Sequence, residues 1–375
     1  AEAEKVDPGC CFPNKLEDIA VLSDAKDKGF PMAAYYLGDL WYDKKQYEAA
    51  RECWEMAAEK VPDYPTVWRN LSLVYFNKTG EKEKALKAIE KAFELDTTDA
   101  RVFLELDQLR KKLGYSVEQR IAYYEEYKDT FTKRDDLYIE YVTLKNFLGK
   151  HEEAYELLMQ RRLHPWEGGE GKVLTQYETA LLELGKKALK AGDAAKAVEL
   201  LEKALLCPEC LGEGKLEGTK DNHIYYHLGL AYEKLGDKEK AEECFRKAVI
   251  GTDEPAGMMF YYDQPADMIM YQGLALYKLG RKSEGNARQY KLIDYGEQHI
   301  RDEVKIDYFA VSLPDMLIYD EDWSRRNRAH CLFLMGLGNL GLGNREKAEE
   351  YFEGALKEDN THLNCRLLLN ELKAE

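Results

Sequence analysis

At 375 residues with 70 acidic against 54 basic side chains, the chain carries a formal charge of −16 and no Lys/Arg-rich block. This disfavours nucleic acid and membrane as partners, since both nucleic acid and an anionic membrane require a positive footprint. No run of about 18 apolar residues is long enough to span a bilayer and no signal peptide opens the chain, while Cys53, Cys244 and Cys365 fall in predicted helices like small core residues, which points to reduced thiols in a cytoplasm rather than a disulfide framework.

Residues 1–30 read as an irregular leader followed by a packing helix over 15–28. Because the first residue is Ala rather than Met, the chain is expected to be part of a longer protein. From Pro31 a repeat begins. Numbered from Pro31, it has Ala34 at position 4, Leu37 at 7, Gly38 at 8, Trp41 at 11, Ala50 at 20, Trp54 at 24, Ala57 at 27 and Pro62 at 32. The same spacing sets Gly185, Gly229, Gly273 and Gly336 twelve residues before Ala197, Ala241, Gly285 and Ala348. Small residues at positions 8 and 20 let two helices approach closely, and large ones at 4, 7, 11 and 24 fill the space between hairpins.

This pattern resembles the tetratricopeptide repeat, W-x2-L-G-x2-Y, then A-x3-F, then P, which describes two antiparallel helices. Sliding the frame along the chain gives eight copies, beginning at 31, 65, 100, 135, 178, 222, 266 and 329. The copy at Ala100 departs from the pattern, with Asp107 and Arg110 where Gly and Tyr are usual. The expected fold is all-α, a right-handed superhelical solenoid of about eight hairpins over 31–362, closed by a capping helix within 363–375. The glycine and asparagine turns Ala191-Gly192-Asp193, Leu235-Gly236-Asp237 and Gly343-Asn344 agree with it.

Three local patterns were weighed against this frame. Cys207-x2-Cys210-x12-His223-x3-His227 has zinc-finger spacing, but Leu211 to Asn222 lacks a finger core and both histidines sit in a repeat helix, so no bound metal or other cofactor is expected. Gly336-x-Gly338-x2-Gly341 matches a dinucleotide fingerprint without a preceding strand. No repeat has the Lys and Asn at positions 5 and 9 with which chaperone-binding tetratricopeptide domains hold a terminal carboxylate. Position 5 of the last four hairpins is apolar instead, at Leu182, Tyr226, Met270 and Phe333, which fits either an apolar ligand groove or burial between turns.

Function is expected in the departures from the 34-residue unit. The last four intervals carry surpluses of 9, 10, 10 and 29 residues; in the first three of these the register places the surplus after the second helix of a hairpin, and the four loops are expected along one edge. The loops supply the candidate binding residues Trp166, Glu167, Glu170 and Lys172 from the first, Glu213 from the second, Tyr261, Tyr262, Asp263 and Gln264 from the third, and Asp307 and Tyr308 from the fourth, taken as running from about His299 to Arg328. Aromatic platforms beside carboxylates and amides hold sugars or form protein hot spots, and the same carboxylates could serve as an acid/base pair in glycoside hydrolysis. Simple locking of the repeats by these loops is the third reading.

Around these loops, the runs His164 to Val173, Asn222 to Gly236, Tyr262 to Gly273 and Asp302 to Pro314 are similar to the C-terminal repeat region of a family of uncharacterised bacterial proteins. Cys207-Pro208-Glu209-Cys210 departs from the Tyr-Pro-Glu-Asn usual there. In that family a β-sandwich domain, resembling those of carbohydrate-active proteins, precedes the array. The resemblance implies a cytoplasmic bacterial scaffold, not an enzyme, that docks its own N-terminal domain or another protein through the looped edge. The alternative it implies is part of a carbohydrate-active enzyme, with carbohydrate as the ligand.

Overall fold

The computed structural model describes residues 8–9, 11–166, 168–215, 218–257, 264–304 and 318–374. Among the described residues there are nineteen α-helices and no strand, and no helix is long and apolar enough to cross a membrane. The chain divides into two compact units, one of Ala1–Leu137 with Leu317–Glu321 and one of Tyr138–Met316 with Asp322–Glu375.

The first unit contains α1 (Leu16–Asp27), then the hairpins α2 (Pro31–Asp43) with α3 (Tyr47–Lys60), α4 (Pro65–Val74) with α5 (Lys82–Leu95), and α6 (Ala100–Lys112) with α7 (Val117–Glu126), followed by the single turn α8 (Lys128–Phe131). Pro31 and Pro65 occupy the first helical position of α2 and α4, where the missing N–H costs nothing and the fixed φ suits the helix. The helix α9 (Asp135–Phe147) straddles the division and begins the fourth hairpin with α10 (His151–Met159).

The second unit continues with α11 (Lys172–Lys190) and α12 (Ala194–Ala204), α13 (Asn222–Leu235) and α14 (Lys238–Ala248), α15 (Met268–Lys278) and α16 (Lys282–His299), α17 (Trp323–Gly341) and α18 (Arg345–Glu358), and closes with α19 (Leu363–Ala374). Every one of the eight frames thus falls on a helix pair. Asp193 and Asp237 cap α12 and α14 by accepting from the Lys196 and Lys240 N–H groups, and Gly236 ends α13 with φ of 79°, a left-handed conformation that costs a glycine nothing.

The frame has a direct packing cause. A Cβ at Gly38 would lie 2.5 Å from the Trp54 ring, one at Gly185 2.8 Å from Leu201, and one at Gly336 2.5 Å from Phe352. In these hairpins position 8 has room only for glycine, because the position 24 side chain of the same hairpin packs against it. The divergent third copy replaces this contact with polar groups: Asp107, at position 8, accepts two hydrogen bonds from Arg120, from Nε at 2.9 Å and Nη2 at 2.6 Å, and one from the Tyr124 hydroxyl at 2.9 Å. All three side chains are buried.

In the second copy position 8 is Ser72, whose Oγ lies 2.9 Å from the hydroxyl of fully buried Tyr319. Asn77 donates to the Ile318 carbonyl at 2.8 Å and accepts from the Asp320 N–H at 2.9 Å, so the segment Ile318–Glu321 belongs to the core of the first unit.

One expectation is corrected. Lys172 and Trp323 are the first residues of α11 and α17 rather than loop residues, since both helices begin six residues before their frames, and the fourth loop ends at Asp322, which caps α17 by accepting from the Arg325 N–H at 2.9 Å. Of the two readings open at position 5, burial holds for Met270 and Phe333, which lie in the core they share with α18 and α19 with Tyr226 packed at its edge, whereas Leu182 lines a cavity. The Gly336, Gly338 and Gly341 pattern, expected to be a packing feature of the last repeat, lies inside α17, where its glycines abut Phe352, Ile293 and Gln289.

Candidate binding site

A cavity of about 690 Å³ opens in the second unit, walled by the loops preceding α11, α13 and α15, by the inner sides of those helices, and by α19. The first two loops are tied together before they reach it. The Leu163 N–H donates to the Cys210 carbonyl at 2.8 Å, and a Cβ at Gly212, which has φ of 72°, would collide with the Leu163 carbonyl. Glu213 then reaches back to the start of α11, accepting from the Gly171 N–H at 2.9 Å and the Leu174 N–H at 2.5 Å. Burial pushes the Glu213 pKa up against the pull of these bonds. A carboxylate at a helix N-terminus also meets the positive end of the helix dipole, so this contact fixes the loop in place.

Trp166 lines the cavity with its indole packed on Gly169, where any Cβ would strike the ring. The third loop is pinned by Gln264, whose side chain accepts from the Thr252 N–H at 2.9 Å and donates to the Thr252 carbonyl at 2.6 Å, and by His330, which hydrogen-bonds the Ala256 carbonyl at 3.0 Å. Its last residues, Pro265 and Asp267, reach the cavity wall.

The charged groups in the wall are largely committed to one another. Glu178 lies 2.7 Å from the Lys215 ammonium, which is also 2.7 Å from Asp221. Burial raises the Glu178 pKa to about 7 despite Lys215, with Asp221 and Glu213 adding to the effect. Lys186 sits 2.7 Å from both Glu183 and Glu371, and although burial works against its charge the two carboxylates hold its pKa above the usual value. Asp267 has one side-chain donor, Asn364 Nδ2 at 3.1 Å, and burial raises its pKa to about 6. His223 is kept neutral, its pKa lowered to about 3 mainly by burial, and its buried Nδ1 has no hydrogen-bond partner.

Two tetratricopeptide-repeat models match, one over residues 35–100 and the other over 223–249 and 329–362. These segments are tetratricopeptide repeats. Solved structures similar to the chain include that of YrrB, described as a TPR protein with an unusual peptide-binding site, at 15% identity over 62% of this chain and 92% of that one, with a TM-score of 0.32. A MamA structure is 19% identical over 62% of this chain and 91% of that one, with a TM-score of 0.21. A Naa15/Naa10 structure bound to HypK-THB is 15% identical over 95% of this chain and 57% of that one, with a TM-score of 0.42.

In tetratricopeptide numbering the cavity wall is regular. Thr179, His223 and Asp267 all occupy position 2 of successive repeats, and Glu183 and Tyr271 position 6. Residues four apart share a helical face, so stacked repeats bring these positions to one side. Of the loop residues singled out from the sequence, Trp166, Glu170 and Glu213 line the cavity. Lys172 opens α11 outside the lining, and Gln264 is spent on Thr252. Glu167, Tyr261, Tyr262, Asp263, Asp307 and Tyr308 lie outside the described residues.

Sequence reasoning passed over Glu178, Asp267 and Asn364 and weighed His223 only as a zinc ligand, although polar residues recurring at position 2 were a visible signal for His223 and Asp267. Among the described residues no three histidine, cysteine or carboxylate side chains come together as a metal site requires. His227 Nδ1 instead hydrogen-bonds the His223 carbonyl at 2.7 Å, and the Cys207 thiol donates to the Glu213 carbonyl at 3.0 Å.

Proposed function

We propose that the chain is a non-enzymatic interaction scaffold, working in a bacterial cytoplasm, that docks a partner protein at the loop-lined cavity of its second unit. The observation that most supports this reading is the convergence of three inter-repeat loops and the inner positions of three repeats on one cavity, with Trp166 in its wall. An aromatic side chain held by its own loop and ringed by polar groups has the make-up of an interface hot spot. The first partner to test is a β-sandwich domain of the kind that precedes such arrays in the resembling bacterial family.

Binding of that domain, produced separately, should weaken by about 2 kcal/mol or more, roughly 30-fold, in Trp166→Ala, with helical circular dichroism unchanged. A large fall in thermal stability in the variant, with no capture by the wild type, would instead mean that the loops only lock the repeats. A second reading, a sugar site completed by a carbohydrate-active domain, is favoured by one observation: Trp166 shares its cavity with two carboxyl groups, Glu178 and Asp267, whose pKa values are raised to about 7 and about 6.

A further inference from the structure

The cavity wall is unbalanced in charge. Its lining holds five carboxyl side chains against the ammonium groups of Lys186 and Lys220, and Lys186 is already clasped by two carboxylates. Three of the five are engaged within the protein: Glu213 on the start of α11, Glu183 on Lys186 and Glu178 on Lys215. Asp267 differs, since its side chain is met by the neutral amide of Asn364 and by the backbone N–H groups of Asp267 and Met268 but, among the described residues, by no cation. A carboxylate left in this state is destabilising unless something else supplies its counter-charge.

An independent feature points the same way. The imidazole of His223, another residue of the wall, has a buried Nδ1 with no hydrogen-bond partner among the described residues, and burial keeps the ring neutral, so in the Nε2–H tautomer Nδ1 offers an unused lone pair. An acceptor without a donor and a carboxylate without a counter-ion, in the wall of one cavity, are complementary to a group that is both cationic and rich in N–H donors. Trp166 adds an aromatic face, which attracts the same kind of ion. A carboxylate-bearing or phosphorylated segment would meet like charge instead.

We propose that the cavity receives a basic side chain, lysine or arginine, projecting from the partner polypeptide, with Asp267 as its counter-ion and His223 as a hydrogen-bond acceptor. This rests on the cavity being a docking site, and it adds what the docked chain must present. Lysine and arginine share the chemistry required, a fixed positive charge carrying several donors on an apolar stem that Leu182 and Trp166 can cover.

The test is calorimetric titration of the full chain with capped pentapeptides Gly-Ser-X-Ser-Gly, in which X is lysine, arginine, glutamine or glutamate, and with maltose as a neutral polyol. The lysine or arginine peptide should bind and the others should not. Asp267→Asn should weaken that binding about tenfold or more while the variant remains folded, and His223→Phe should weaken it with the charge unchanged. Equal binding of the lysine and glutamine peptides, failure of both basic peptides to bind, or indifference to Asp267→Asn would overturn the proposal. If the Trp166-dependent capture of a partner domain survives such a result, the docking reading stands and only the basic side chain is lost. Binding of maltose alone would favour the sugar site.

Discussion

The ammonium of Lys215 lies 2.7 Å from a carboxylate oxygen of Glu178, and the same nitrogen is 2.7 Å from Asp221. One loop cation thus holds together the start of two successive repeats. Replacing it by methionine leaves two largely buried carboxyl groups without their shared ion-pair partner. Lys215→Met should cost about 3 kcal/mol at pH 8 by urea unfolding. The loss should shrink at pH 5, because the folded state then keeps protons that the unfolded state releases, and stability falls as pH rises between the unfolded and folded pKa values. An equal loss at both pH values would show that Lys215 acts through packing alone.

Asp267 gives a prediction of opposite sign. Its carboxyl group titrates at about 6 in the folded chain against 3.8 as a model compound. The unfolded chain ionises first, so stability declines from about pH 4 to pH 6 and the full penalty persists above that. The cavity admits some solvent, so the penalty is about 1–2 kcal/mol, below the value the whole shift implies. Asp267→Asn should raise the melting temperature at pH 8 and leave it unchanged near pH 3.5. A lower melting temperature at pH 8 would mean that Asp267 contributes to stability.

Two glycines in the last hairpin should respond oppositely to the same substitution. Gly336→Ala drives a Cβ to 2.5 Å from Phe352, whereas a Cβ at Gly354, in α18, meets only Leu332 at 3.6 Å. Overpacking at the first site should cost about 1–3 kcal/mol despite the better helix propensity of alanine. At the second site propensity acts nearly alone, and Gly354→Ala should gain about 0.5–1 kcal/mol. Guanidinium unfolding of both variants measures the difference, and similar effects at the two sites would refute the packing account of position 8.

In the first unit, Arg120→Met removes the bidentate partner of buried Asp107. The expected loss is about 3–5 kcal/mol, because an uncompensated buried charge is left behind. Adding Asp107→Leu should recover most of it, since apolar groups of similar volume can replace a buried pair at little cost. A double variant no more stable than the single one would show that the polar cluster itself specifies the hairpin.

The hairpins were legible in the sequence because their cause is local. Gly38 and Trp54, or Gly336 and Phe352, lie within one repeat, so spacing alone reports the contact. The third copy could be placed but not explained: Asp107 reads as a fault until Arg120 and Tyr124 are seen around it. Trp166, Glu170 and Glu213 stood out because they interrupt the pattern, whereas Glu178 and Asp267 hid inside it at ordinary repeat positions and His223 drew notice only for its zinc-finger spacing. Nothing in their spacing announces a raised carboxylate pKa or an unpaired imidazole nitrogen. Those depend on desolvation, which is a property of everything packed around a group, and on partners such as Asn364, which reaches Asp267 from 97 positions along the chain. The sequence by itself determined the repeats, through contacts made within each hairpin. Only the tertiary structure decided which of their polar residues share one cavity, because that depends on how successive hairpins and their loops enclose space.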